Sequence, residues 1–137
     1  MWTFENRKYI TSVIFPSSVT AIGHNAFRSC SALTSVEFEG GEITSLGSGA
    51  FAACTSLTNF NLVMFNSKSF EVDYSSGLDI FEYCGSLKTI NFNGTVEEFR
   101  ALVNYEEEYN SWDDTWLADS YIIKIQCSDG EIEVEYT

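Results

Sequence analysis

The side chains able to do chemistry are few. There is one histidine, His24, between Gly23 and Asn25, and there are four cysteines, Cys30, Cys54, Cys84 and Cys127. Carboxylates are densest at Glu106-Glu107-Glu108 and Asp113-Asp114. Nucleophilic catalysis needs a thiol or hydroxyl within hydrogen-bond reach of a base. Cys30 stands six residues from His24 in the same segment and is expected to point inward, with the histidine in a solvent-facing turn. A paired-acid hydrolase needs an apolar pocket that separates two carboxyl pKa values, and nothing around these acids supplies one. The cysteines lack the paired Cys-x-x-Cys spacing of a zinc site. Clustered carboxylates suit calcium, and 106–114 is where such an ion would sit, although a solvated acidic face is the plainer reading. Residues 73–82 miss the calcium-loop pattern, because Gly77 falls one place early and Leu78 takes the glycine position. Asn93-Gly94-Thr95 is a formal glycosylation sequon whose plainer reading is a turn leading into a helix cap. Gly47-Ser48-Gly49 precedes a turn and is no phosphate loop. The expectation is a chain with no catalytic residue, no metal and no cofactor.

The cysteines instead mark a repeat. Ala26-Phe27-Arg28-Ser29-Cys30-Ser31-Ala32-Leu33 is echoed by Ala50-Phe51-Ala52-Ala53-Cys54-Thr55-Ser56-Leu57 and by Ile80-Phe81-Glu82-Tyr83-Cys84-Gly85-Ser86-Leu87. Each runs into a tail of alternating apolar residues: Val36 and Phe38, Phe60 and Leu62, Ile90 and Phe92, with Val13 and Phe15 opening the series. Period two predicts a strand with one buried face. The tails, counted from Ile10, Leu33, Leu57 and Leu87, begin 23, 24 and 30 residues apart. Strands so separated must cross over and pair in parallel, and the period lies in the leucine-rich-repeat range. Equivalent cysteines then stack at about the 4.8 Å spacing of neighbouring strands. Their side chains point the same way, which suits reduced, buried thiols better than a disulfide.

The predicted architecture is an α/β repeat solenoid of about four coils over residues 1–94. Ile22, Ala26, Phe27 and Cys30 fall near i, i+4, i+5 and i+8, which fits a turn or two of helix against the core. Gly23 and Gly47 match in register and are expected to serve turns with unusual backbone angles. The third coil carries six extra residues within 63–77, with Ser76 where Ile22 and Leu46 stand in the others. Such insertions tend to decorate a binding face.

After Gly94 the repeat stops. Thr95 and Glu98 form a capping-box signature, with an amphipathic helix behind them to about residue 104. Trp112, Trp116 and Leu117 suggest a second short helix. Two strands follow, Tyr121 to Cys127 and Glu131 to Tyr136, joined by Ser128-Asp129-Gly130. Glu131, Glu133 and Glu135 make one face of the last strand acidic, which discourages edge pairing. Residues 95–137 are expected to close the stack as a C-terminal α+β cap, in one continuous domain. The N-terminal end, Met1 to Tyr9, shows no comparable lid, so its bare coil edge is expected to seek a partner.

Charge is polarised along the chain. Residues 1–94 hold eight acids and five bases; residues 95–137 hold twelve acids and two bases; the total is −13. Nucleic acid and anionic membrane surfaces are therefore excluded as partners. No stretch approaches the roughly 20 apolar residues of a membrane span. The N-terminus lacks the apolar segment of a signal peptide, so the chain either stays inside the cell or is a trimmed or partial form of an exported protein, and the second is the expectation.

The phrases Ile22-Gly23-His24-Asn25-Ala26-Phe27-Arg28-Ser29-Cys30-Ser31-Ala32-Leu33-Thr34-Ser35-Val36 and Leu46-Gly47-Ser48-Gly49-Ala50-Phe51 resemble the repeat of BspA-like leucine-rich repeat proteins. Asn93-Gly94-Thr95-Val96-Glu97-Glu98-Phe99 and Ile125-Gln126-Cys127-Ser128-Asp129-Gly130-Glu131-Ile132 resemble their closing segment. The resemblance implies a right-handed solenoid and a cell-surface or secreted protein of host-associated bacteria or protists. It implies adhesion to host matrix and serum proteins, or contact between microbes, and it carries over no catalytic residue. The expected function is a non-enzymatic protein-binding module, the C-terminal part of an adhesin. The alternative is a structural spacer that self-associates, as a homodimer through the N-terminal coil edge. The candidate binding residues are the outward positions Ser35, Glu37, Asn59, Asn61, Thr89 and Asn91, with the loop aromatics Phe65, Phe70 and Tyr74. The expected partner is a protein, host matrix or another surface protein, with no nucleic acid and no membrane insertion.

Overall fold

In each tail, buried and outward side chains alternate, so each can pair laterally only with the equivalent tail of the next coil. The computed structural model describes residues 3–40, 43, 45–62, 71–73, 79–102, 117 and 120–134. The tails are strands: β1 (Ser12–Phe15), β3 (Ser35–Phe38), β5 (Asn59–Leu62) and β7 (Thr89–Phe92). They pair in parallel with like on like: Val13 beside Val36, Val36 beside Phe60, Phe60 beside Ile90. A second, shorter parallel sheet runs along the coils through β2 (Ala21–Ile22), β4 (Ser45–Gly47) and β6 (Glu71–Asp73). The core lies between the two sheets, where Val36, Leu46, Phe51, Leu57, Phe60, Phe81 and Ile90 are fully buried. This mostly parallel arrangement fits a repeat solenoid.

The segments predicted as helical turns are hydrogen-bonded turns instead. Ala26 N–H donates to Gly23 C=O, Arg28 to Asn25, Cys30 to Phe27 and Leu33 to Cys30, each three residues back. Continuous helix is prevented by left-handed residues at matched places: Ser29, Ala53 and Tyr83 have φ of 60°, 58° and 64°. Asn25 and Gly49, also equivalent, have φ of 57° and 68°. These breaks swing alternate N–H groups towards the next coil. Phe27 and Ser29 donate to the carbonyls of Ala50 and Ala52, while Phe51 and Ala53 donate to those of Ile80 and Glu82. Each turn thus acts as a third parallel ladder.

Two further expectations change. Gly47 does not use a positive φ; among the described glycines only Gly40 and Gly49 do. A Cβ on Gly47 would strike the backbone of Gly23 and His24 in the preceding coil, so this glycine lets two coils approach. The N-terminal coil is also not bare. Phe4 and Asn6 donate to Ala26 and Arg28, and the Phe4 ring stacks on Phe27 at 5.2 Å. Asn6 has φ 62°, like Ser29, Ala53 and Tyr83. Residues 4–11 are therefore a half coil in register with 27–34, unrecognised in the sequence because Arg7 stands where Cys30 would.

The tail continues the main sheet. The capping box forms as predicted: Glu98 N–H donates to Thr95 Oγ1 at 3.1 Å, and Thr95 N–H to Glu98 Oε1 at 2.9 Å. It opens α1 (Val96–Leu102), where Phe99 packs edge-on against Phe92 at 5.2 Å. β8 (Lys124–Gln126) adds to β7 in parallel, and β9 (Glu131–Glu133) adds to β8 in antiparallel. The hairpin is tied to the helix, since Val96 N–H donates to Asp129 Oδ1 at 2.8 Å. The main sheet thus runs β1-β3-β5-β7-β8-β9. Of the insertion within 63–77, only residues 71–73 are described: they form β6, where Val72 rather than Ser76 stands opposite Leu46. The second tail helix falls outside the described residues, save for Leu117, which is fully buried.

Candidate functional site

Strand alternation leaves every second side chain of the main sheet with no place in the core, and register sets those side chains in rows. Ser12, Ser35 and Asn59 form one row, and Thr89 and Lys124 are paired further along the sheet. Asn61, Asn91, Gln126 and Glu131 form a second row, each opposite the next. All six predicted sheet positions lie on this outer face. Glu37 and Asn59 are exposed, while Ser35, Asn61, Thr89 and Asn91 are half-buried. The three loop aromatics, Phe65, Phe70 and Tyr74, lie outside the described residues, as does the acidic stretch considered for calcium.

The structure joins two of the six directly. Asn91 Nδ2 donates to Asn61 Oδ1 at 2.9 Å. That bond uses neither the Asn61 amino group nor the Asn91 side-chain carbonyl. Asn59 turns back along its own strand and donates to Thr58 Oγ1 at 3.3 Å. Gln126 is likewise held, donating to the carbonyls of Cys127 and Gly130 at 3.1 and 3.2 Å.

Beside the amide pair, where β3, β5 and β7 end, the surface forms a groove of about 360 Å³. Phe38, Leu62 and Phe92 line it with apolar surface, and Glu39, Gly40, Asn61, Asn91 and Asn93 complete it. Glu39, Gly40 and Asn93 escaped the sequence reading because they stand one or two places past the alternating strands. A signal was present: Phe38-Glu39-Gly40 and Phe92-Asn93-Gly94 share a pattern at equivalent strand ends.

The charge of the face is lopsided. Glu37, Glu39, Glu131 and Glu133 are exposed, and Lys124 Nζ already pairs with Glu131 at 3.4 Å. The thiols are directed elsewhere. Cys30, Cys54 and Cys84 are buried and unbridged. Their Sγ–H groups donate to the carbonyls of Phe4, Phe27 and Phe51 in the preceding coil, at 3.2, 3.2 and 3.0 Å. Burial raises all three above the ordinary thiol range and pushes Cys84 up to about 12. A buried thiol that stays protonated is a poor nucleophile. His24 is exposed at its turn while Cys30 faces the Phe4 carbonyl.

Among the described residues no group of three or more metal-ligating side chains forms, and no helix is long and apolar enough to cross a membrane. No curated protein and no solved structure matches the chain. A family model described as BspA type leucine rich repeat region matches residues 1–109 in six copies. Repeats of this type are generally surface or secreted protein-binding modules and are typically non-enzymatic. The equivalent phenylalanines and thiols, the parallel strand register and this match agree: the chain belongs to the BspA-type leucine-rich repeat family.

Proposed function

We propose that this chain is a non-enzymatic protein-binding module, the C-terminal part of a bacterial cell-surface or secreted adhesin-like protein. It captures host matrix proteins or another surface protein on the outer face of its main sheet. The observation that carries this reading is the Asn61–Asn91 pair beside a groove on the outer face, whose hydrogen bond uses neither the Asn61 amino group nor the Asn91 carbonyl. Neither side chain has a core role, and the hydrogen bond between them reduces the side-chain entropy lost when a partner arrives. In this reading Ser35, Glu37, Asn59 and Thr89 extend the contact along the strands. Phe65, Phe70 and Tyr74 add aromatic contacts to the partner, and residues 95–137 cap the repeat domain of residues 1–94.

Capture of immobilised serum and matrix proteins by the purified chain tests the reading. Replacing Asn59, Asn61 and Asn91 together with alanine is expected to abolish capture while leaving the thermal unfolding curve nearly in place. Unchanged capture by that variant removes this face from consideration.

A second reading, a self-associating spacer, draws on the opposite end. Among the described residues β1 and β2 each have a single strand neighbour, and Tyr9 and Ile14 are exposed there. Light scattering that grows with chain concentration, and is lost in Ile14→Lys, favours this homodimer.

A further inference from the structure

The groove has a two-part chemistry that narrows its ligand. Phe38, Leu62 and Phe92 are nearly or fully buried and supply apolar surface. Polar groups from Glu39, Asn61, Asn91 and Asn93 share the lining, and Glu39 is the one charged residue among them. Lysine and arginine match such a site, because an apolar stem can lie along apolar surface while the charged head stays at a polar rim. The neighbouring amide pair keeps an amino group on Asn61 and a carbonyl on Asn91 that their mutual bond does not use, donor and acceptor groups of the kind that pair with a peptide backbone. Among the described residues of the surrounding face, Glu37, Glu131 and Glu133 stand against Lys124, which is already paired with Glu131, and the whole chain carries −13.

We propose that the groove and the Asn61–Asn91 pair bind an extended, cationic polypeptide segment. Its backbone bonds the Asn61 amino group and the Asn91 carbonyl, and a lysine or arginine side chain enters the groove towards Glu39. This deepens the protein-binding reading, on which it rests, by naming the class of segment recognised. Charge complementarity sets the choice of partner and speeds encounter, and the amides set register.

The probe is a short fluorescein-labelled peptide alternating lysine and threonine, with a glutamate–threonine peptide as counterpart, both titrated with the full chain by fluorescence anisotropy. The lysine peptide is expected to bind, more weakly at about 150 mM than at about 20 mM salt, and the glutamate peptide not to bind. Glu39→Gln is expected to weaken binding about fivefold or more. A double Asn61→Ala/Asn91→Ala variant should weaken it by a similar factor, about fivefold. Glu97→Gln removes the same charge from the exposed side of α1 and should change affinity less than about twofold. Glu39 is exposed, so its variant is expected to fold, and unchanged thermal unfolding checks that.

Equal losses from Glu39→Gln and Glu97→Gln would overturn the proposal, because general attraction to an acidic chain would then account for binding. So would failure of the lysine peptide to bind, or equal binding of the glutamate peptide. If the triple asparagine variant loses protein capture but the lysine peptide never binds, the face stands as a protein site and the cationic assignment alone falls.

Discussion

The carbonyls of Phe27 and Phe51 each accept two hydrogen bonds. Phe27 C=O accepts the Cys30 N–H from its own coil at 3.2 Å and the Cys54 S–H from the next coil at 3.2 Å. Phe51 C=O does the same for Cys54 and Cys84, at 3.3 and 3.0 Å. Cysteine suits this place because it is small and apolar enough for a fully buried position yet still carries a weak donor. The same fit makes the thiols sensitive to alkali. Cys84 is raised by burial from the ordinary thiol value of 9.0 to about 12, and Cys54 is raised as well. Below pH 9 folded and unfolded chains hold these protons equally. Above it the unfolded chain releases them first, so stability falls as pH rises towards 12. The slope is about 1.4 kcal/mol per pH unit for each thiol that ionises only on unfolding. Urea unfolding between pH 8 and pH 11 is expected to show this decline, and a Cys54→Ala/Cys84→Ala double variant a shallower one. Equal slopes would mean the thiols do not contribute.

At the scale of elements, sequence and structure agree where side-chain alternation decides the outcome. Four strands, their parallel pairing and their outward residues were legible because period two leaves one register that buries Val36, Phe60 and Ile90 together. The capping box at Thr95 and Glu98 was legible for a similar reason, since both partners lie within one turn. The turns were misread as helix because their apolar spacing is helix-like, while the deciding feature, a left-handed residue at Ser29, Ala53 and Tyr83, falls on residue types that rarely adopt it. The second row of the outer sheet face was legible only in part. Asn61 and Asn91 were recognised, but nothing local announces that β8 joins the same sheet and sets Gln126 beside Asn91. Gly47 is where the coil-to-coil distance can be tested. Any Cβ there meets the Gly23–His24 backbone, which has no rotamer by which to yield. Gly47→Ala is expected to cost about 3 kcal/mol through overpacking, read by chemical denaturation. A loss below about 1 kcal/mol would show that the coils can slide apart locally.

Across the whole molecule the coils are joined by aromatic rings. Phe4, Phe27, Phe51 and Phe81 stack in sequence at 5.2, 5.6 and 6.1 Å. Phe60 meets both Phe51 and Phe81 edge-on, at 5.2 and 5.0 Å. A repeat stack gains stability from each neighbour interface, so a residue shared by two interfaces matters more than one at an end. Phe51 is fully buried between two stacked neighbours. Phe4 is 42 % exposed and stacks on one. The two are the same residue type at equivalent places, so position in the stack is the main difference between them. Phe51→Ala is expected to cost about 3–5 kcal/mol, a large part of what a small domain has. Phe4→Ala should cost about 1–2 kcal/mol, because part of its ring already meets water. Amide exchange should follow the same gradient, slowest in β3, β5 and β7 and fastest in residues 4–11, where a half coil can open without breaking the rest. Equal losses from the two substitutions would mean that the chain unfolds as one unit with no weaker end, and the half coil would then be as much part of the core as any complete one.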